Sequence, residues 1–410
     1  MTQIRAFRPY VVAPQHATAV VSPAYDSMSP TQRRIFCETH PKNYINTMQV
    51  TDDFPTDERP TEAKVLETNV QQLQTMLKNG SYQGSDTDAV FIYQLSVDGH
   101  TQIGVVAEIP VSEYENGSIR RHEETRKEHE ERLSRYLDIV GASSSPICLA
   151  YAGSTEIDAI VESVTQGDPV LDFVLPDGVG QRLWRITDTS QCNDLRQAFS
   201  GIESTYLTDG HHRAASTLRH AASRRAAGKA DGPWDYLLAA LFPADQLRVL
   251  AFNRCVRDLG GRTTTNLLTA LAKDFVVEPI SDDHAVEFPA QRGQFLMLLD
   301  GQTILLTLRR PVLDKSPLRN LDVSILQDRI LKPLLGISDV RGDPRLDYVT
   351  GDSGLEGLQA RCSEGWQVGF ACFPTSLAEL MAVADASEVM PPKSTCFDPK
   401  TRSGIFVRMS

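Results

Sequence analysis

Residues 204–216 read Ser204-Thr-Tyr-Leu-Thr-Asp-Gly-His-His-Arg-Ala-Ala-Ser216, and this stretch decides the fold class. Thr205-Tyr206-Leu207 is β-branched, aromatic and apolar, the composition of a strand. Asp209-Gly210 breaks it, and residues 211–227 (HHRAASTLRHAASRRAA) then read as a helix. A strand that turns through glycine into a helix suits anions. The first N–H groups of a helix have no acceptor within it, and the helix dipole adds positive potential there. Gly210 permits a sharp turn and close approach, and Arg213 offers a two-pronged donor to phosphate oxygens. Asp209 is positioned either to hold Mg²⁺ or to orient a histidine. The alternative is a capping Asp209 with His211 and His212 on a helix surface. A His211–His212 metal pair is disfavoured, because adjacent residues do not share a helix face.

Outward from this stretch, the chain alternates strands and helices and also contains antiparallel hairpins. The first hairpin runs from Ala89–Val97 through Asp98-Gly99 to Ile103–Ile109. The second runs from Phe295–Leu299 through Asp300-Gly301 to Ile304–Leu308. Asp-Gly between apolar runs is a strong hairpin signal. Helical spacing predicts helices over 62–77, 122–140 and 323–335, and a buried strand over 145–152. In 122–140, Leu133, Tyr136, Leu137 and Val140 form the apolar stripe, with Glu128–Arg132 and Glu131–Arg135 spaced for pairing. Ala19-Val20-Val21 reads as a strand and Ser29-Pro30 as a helix start. The fold class expected is α+β (mixed α/β).

Composition excludes several classes. The 410 residues are 41 % hydrophobic and 23 % charged, which is globular usage rather than disordered or fibrous. With 41 Lys+Arg against 53 Asp+Glu, the net charge is −12, so no nucleic-acid partner is expected. No run of about 18 apolar residues exists, so no membrane partner is expected either. The first residues lack a signal-type apolar run, and the seven scattered cysteines suit a reducing compartment, so a cytoplasmic location is expected. Their spacing, and the absence of HExxH, argue against zinc. No Walker A loop, dinucleotide glycine fingerprint, kinase signature pair or nucleophile elbow occurs.

Three further segments carry chemistry. Arg120-Arg121-His122-Glu123-Glu124-Thr125 places a carboxylate beside cations, as a general base requires, though a solvated charged helix has the same composition. Met390-Pro-Pro-Lys-Ser-Thr395, continuing to Lys400, offers Lys393, Ser394 and Thr395 to a phosphate, or is simply a packed C-terminal edge. Pro23-Ala-Tyr-Asp26 leaves Asp26 either catalytic or a turn cap.

In combination these segments resemble a bacterial and archaeal family filed as domain of unknown function 1015. The carriers are P-x-Y-D (Pro23, Tyr25, Asp26), HPxN (His40, Pro41, Asn43), HExT with Arg-Leu (His122, Glu123, Thr125, Arg132, Leu133) and DGHHR (209–213). To these add FPxxxL…NR (Phe242, Pro243, Leu247, Asn253, Arg254), LDVSxL…LLG (321–336) and MPPKSTxFxPK (390–400). The DGHHR segment is in turn similar to the nucleotide motif of the ParB/sulfiredoxin superfamily, and its enzymatic relatives there look like free-serine kinases. The resemblance implies a ParB/sulfiredoxin-like nucleotide-binding core with added N- and C-terminal α/β elements. It implies a catalytic region over 1–250 and a C-terminal α/β region over 251–410 that returns the MPPKST tail to the core. It implies an amino-acid kinase, L-serine to O-phosphoserine, using ATP or ADP with Mg²⁺.

Carried onto this chain, the resemblance makes Glu123 the base and has Asp209, Gly210, His212 and Arg213 hold the nucleotide phosphates. The residues themselves add the other candidates: Asp209 and His212 as catalytic groups with Asp209 the Mg²⁺ ligand, His211, Lys393, Ser394 and Thr395 for the nucleotide, and Arg120, Arg121, His122 and Asp26 for the substrate. A homodimer remains open. Two rival functions stand beside the kinase: a ParB-like nucleotide-binding regulator or slow NTPase, and a phosphoester hydrolase. The superfamily's sulfinic-acid reductase chemistry does not carry over, since His211 stands where its cysteine would be.

Overall fold

A computed structural model describes residues 1–25, 28–280 and 289–410. The chain divides into two compact units. The first comprises Met1–Leu247 together with Pro399–Ser410, and the second comprises Arg248–Asp398. The last residues of the chain, from Pro399, group with the first unit. The reason is strand pairing: Phe406–Met409 pairs with Tyr10–Val12 on one side and with Ala142–Ser143 on the other.

The first unit is built on an eight-stranded mixed sheet. Its strands in chain order are β1 (Val90–Val97), β2 (His100–Pro110), β3 (Ile119–Arg120), β4 (Ile147–Tyr151), β5 (Leu171–Val174), β6 (Gly180–Ile186), β7 (Thr205–Asp209) and β8 (Tyr236–Pro243). Their order across the sheet is β3-β7-β4-β8-β2-β1-β6-β5. Pairing is parallel between β3 and β7 and between β4 and β8, and antiparallel elsewhere. The β1–β2 hairpin turns at Asp98 (φ 50°) and Gly99 (φ 74°), the left-handed pair that this tight turn demands. Within β2, a side chain at Gly104 would meet the Leu241 carbonyl at 2.4 Å, so only glycine lets β8 lie against β2 here.

Three helices matter for the site: α1 (Glu62–Lys78), α2 (Lys127–Val140) and α3 (His211–Ala226). The sheet's core is apolar and closed, with Ile92, Val105, Leu149, Leu207 and Leu241 fully buried. Helix α3 joins that core through its small residues Ala214 and Ala221, as a helix seated closely on a sheet requires.

Two sequence expectations are corrected. Ala17–Val20 is a short helix, and only Val21 beyond it is extended, so the predicted strand is absent. Residues 122–126 are not helical, and α2 begins at Lys127. His122 is drawn into the core, 2 % exposed, and this holds the preceding chain extended. The arginines of α2 also pair elsewhere than predicted: Arg132 with Asp52 at 3.4 Å and Arg135 with Glu62 of α1 at 2.9 Å.

The second unit has a six-stranded antiparallel sheet. It contains the predicted hairpin Gln294–Leu299/Gln302–Leu308, turning at Asp300 and Gly301. The 323–335 helix is present as Asp322–Leu335, with one wider π turn over Gln327–Leu331, and Gly336 ends it at φ 70°.

Candidate functional site

The site forms where β7 runs into α3. The β7–β4 register shifts between Leu207 and Asp209, so two residues of β7 face one of β4. Such a bulge re-aims the side chain that follows it, and Thr208 Oγ1 secures it by donating to the Cys148 carbonyl at 3.0 Å. Gly210 then takes φ 94°, ψ 28° at the helix cap. A side chain there would sit 2.9 Å from Arg213 Nε and 3.0 Å from Ile147 Cγ2. Glycine is therefore required both by backbone conformation and by space. The predicted strand–glycine–helix cradle is present.

Asp209 is a counter-ion. Its Oδ2 accepts from Arg213 at 2.5 Å, and its Oδ1 lies 3.8 Å from Lys400 Nζ. Burial pushes the Asp209 carboxyl up, but these two cations outweigh burial and hold it below the usual aspartate range. Arg213 also donates to the Pro146 carbonyl at 3.3 Å. With each Asp209 oxygen facing a cation, the residue does not fit as a Mg²⁺ ligand. That ion wants unshared anionic oxygens.

The two adjacent histidines diverge, as neighbours on a helix must. His211 is 4 % exposed and packs edge-to-face against His122, with ring centroids 4.6 Å apart. Its Nδ1 lies 3.7 Å from Glu123 Oε2, and its Nε2 has no hydrogen-bond partner. Burial lowers both imidazoles: His122 falls to about 4, and His211, which also feels His122, falls well below its ordinary value. Both are neutral at pH 7. His212 faces the other way. Its Nε2 accepts from the Arg126 N–H at 3.1 Å, and its ring lies 5.2 Å from that of His129. It therefore braces the 122–126 segment. The same segment is tied by Thr125, which donates to Glu130, itself paired with Arg219 at 3.1 Å. No local pattern pointed to Glu130 and Arg219, since they meet only through the packing of α2 on α3.

His122, Glu123 and His211 bring two imidazole nitrogens and one carboxylate within 4.8 Å of one another. That donor set suits zinc or another transition ion better than Mg²⁺.

Of the remaining predicted residues, Arg120 lies on edge strand β3, opposite Tyr206 of β7. Arg121 is exposed, with its guanidinium 4.8 Å over the Tyr114 ring. Lys393, Ser394 and Thr395 belong to the second unit. There Ser394 Oγ donates to the Pro391 carbonyl at 2.6 Å, and Lys393 Nζ sits 5.2 Å over the Phe252 ring. Arg254 is 3 % exposed and donates to the carbonyls of Phe252 and, at 3.1 Å, Lys393. The NR and MPPKST segments thus meet within the second unit. Asp26 lies outside the described residues. Among the described residues, no helix is long and apolar enough to cross a membrane.

Comparison with curated proteins finds no match. Among solved structures, a free serine kinase in complex with AMP aligns at 12 % identity, covering 73 % of this chain and 91 % of that one, with a TM-score of 0.37. A conserved hypothetical protein from Pyrococcus furiosus aligns at 12 % identity, over 74 % of this chain and 95 % of its own, TM-score 0.36. A C-terminally truncated SbnI from Staphylococcus aureus aligns at 12 % identity, over 74 % and 86 %, TM-score 0.39. Residues 4–324 match the profile of the family described as Protein of unknown function (DUF1015), and the chain belongs to that family.

Proposed function

We propose that the protein is a small-molecule kinase with a ParB/sulfiredoxin-type nucleotide cradle, passing a phosphoryl group from ATP or ADP to the hydroxyl of a free amino acid, L-serine first among them. The observation that carries this reading is the position of Glu123. Its half-exposed carboxylate stands 3.7 Å from His211, at the head of the cradle formed by Gly210 and α3. Phosphoryl transfer needs positioning, charge neutralisation and a proton acceptor, and little else.

In this reading the acceptor oxygen bonds to phosphorus as the bond to the nucleotide's leaving oxygen breaks. Glu123 takes the hydroxyl proton. The first-turn N–H groups of α3 and the Arg213 guanidinium face the developing negative charge. Neutral His211, buried against Glu123, places no positive charge beside the carboxylate. Arg120 and Arg121, just ahead of Glu123 in the chain, are the two candidate clamps for the amino acid's carboxylate. Mg²⁺ would arrive with the nucleotide and neutralise part of its phosphate charge.

A second reading has its own observation. The His122–Glu123–His211 donor set favours metal-assisted hydrolysis of a phosphoester, with water as acceptor. One experiment separates the two. The protein is incubated with L-serine and ATP or ADP, in buffer containing Mg²⁺, and products are read by mass spectrometry. O-phosphoserine that disappears in Glu123→Ala and Asp209→Ala is the expected result. Free phosphate without phosphoserine replaces the kinase by the hydrolase. Nucleotide binding without turnover replaces it by the regulator.

A further inference from the structure

Beside the cradle, within the first unit, lies a cavity with about 740 Å³ of atom-free space, counting its open mouth. One wall is a single face of α3, formed by Arg213, Ser216, Thr217 and His220 at helical spacing. The facing wall is the apolar stripe of α2, where Leu133, Tyr136 and Leu137 are only half-buried. That incomplete burial is what the cavity leaves of the predicted core stripe.

The cavity is lined by buried polar atoms that the protein does not satisfy. His220 Nε2, Trp234 Nε1, Ser143 Oγ and Ser410 Oγ each have no hydrogen-bond partner, and His220 is 2 % exposed. They come from four separate parts of the chain, so no single local irregularity explains them. Each such group costs free energy unless something in the cavity pairs with it. The rest of the lining combines aromatic and aliphatic side chains with serine and threonine hydroxyls and the guanidiniums of Arg213 and Arg408, the make-up of a site for a flat, partly polar molecule.

The cavity shares a wall with the cradle. Arg213 and Ile147 line it, and the same two residues approach Gly210 within about 3 Å of where its side chain would be. Along α3, from Arg213 to His220, seven residues span roughly 10 Å at ~1.5 Å each. That is the scale of a nucleoside diphosphate from base to terminal phosphate. Indole Nε1 only donates, whereas serine hydroxyls donate and accept. The occupant must therefore carry acceptors and donors on one edge, as a nucleobase does.

We infer that this cavity is the base subsite of the nucleotide whose phosphates lie on the Gly210–Arg213 cradle. Trp234 and His220 read the edge of the ring, and the α2 stripe packs on its face. The inference rests on the nucleotide reading above and adds the place where the base is held.

The test is calorimetric binding of ADP and of inorganic pyrophosphate to the wild-type protein, to Trp234→Leu and to Met48→Trp. Met48 lines the cavity from a different segment, so its enlargement obstructs the space without touching Trp234. Base–aromatic contact supports an expected loss of roughly 5- to 100-fold in ADP affinity in both variants, with pyrophosphate affinity unchanged. Equal ADP affinity in all three proteins, or wild-type protein that binds pyrophosphate as tightly as ADP, overturns the inference and leaves the cavity to water. Should Trp234→Leu fail to fold, Met48→Trp alone decides. Wild-type protein that binds neither probe sinks the nucleotide reading and this inference together. ADP binding without phosphoserine sinks the kinase reading and leaves the base subsite standing.

Discussion

Two arginines in two family segments look alike in the sequence and differ in the structure. Arg213 follows Asp-Gly-His-His and keeps a side chain 31 % exposed, shared between Asp209 and the Pro146 carbonyl, with Nε unpartnered. Arg254 follows Asn253 and is 3 % exposed, its donors spent on the carbonyls of Phe252 and Lys393. The first retains a donor and a path to solvent. The second holds a loop in which Lys393 adopts a left-handed φ of 57°. Arg254 spends its donors bracing main chain, whereas Arg213 keeps one unspent beside a glycine turn. On the proposed function the cradle of the first unit would therefore bind the anion, and Arg254 would brace the MPPKST loop of the second.

The sharpest way to break this comparison is at the cradle. Glu123→Gln keeps size and hydrogen bonding but removes the proton acceptor. Phosphoserine formation is expected to fall ~10²- to 10⁴-fold, with an unchanged melting temperature, because the Glu123 side chain is 41 % exposed. A variant that loses stability instead of activity would make Glu123 part of the scaffold.

Arg254→Ala tests the other half. It strands the Phe252 and Lys393 carbonyls in a buried setting. Hydrogen bonds to a charged donor stabilise by about 1.5–3 kcal/mol each, so an unfolding free energy lower by about 3 kcal/mol is expected from denaturant titration. An unchanged midpoint would move Arg254 from scaffold to binding group.

The two halves were not equally legible in the sequence. The 205–226 strand–turn–helix and both Asp-Gly hairpins were readable because each is fixed by neighbours in the chain: a glycine that must be left-handed, a pleated run before it, a helical period after it. The 122–126 segment was misread. Its charge and spacing continue the pattern of α2, yet His122 leaves the helix to pack on His211, a residue far along the chain. Ala17–Val20 failed for a related reason, since four small or β-branched residues carry too little local preference to resist tertiary packing. The motif singles out Glu123, and the Asp209–Arg213 pair is a local i,i+4 contact, but the encounter of Glu123 with His211 and the approach of Lys400 to Asp209 are long-range contacts that no local signal encodes.

A third prediction separates the units by pH. In the second unit Asp322 is 6 % exposed. Burial pushes its carboxyl up from 3.8 to about 6, even though it accepts from the Gly293 N–H. A carboxyl raised in the folded state favours folding when protonated. That contribution is complete below pH 3.8 and is lost as pH rises through 6. Two pH units correspond to about 3 kcal/mol. Asp322→Asn is therefore expected to leave stability unchanged near pH 3.5 and to raise it at pH 7. An equal effect of the substitution at both pH values would show that Asp322 folds with its charge intact. The neutral histidines of the first unit impose the opposite slope, losing stability as pH falls from 6.5 toward 4.

The smallest effect belongs to the surface of α2, where Arg135 pairs with α1 rather than with Glu131 of its own helix. Arg135 donates to Glu62 at 2.9 Å, and the two side chains are 51 % and 41 % exposed. Both keep most of their hydration, and salt screens their attraction, so the pair contributes at most about 1 kcal/mol. Arg135→Ala should therefore lower the unfolding free energy by ~0.2–1 kcal/mol at low salt and by less in 1 M salt. A double-mutant cycle with Glu62→Ala isolates the coupling between them. The same cycle with Glu131→Ala, the partner that sequence spacing favoured, should give no coupling. Coupling to Glu131 instead of Glu62 would mean that α2 is held in solution by its own charge pattern, and the contact of α2 with α1 would lose its electrostatic support.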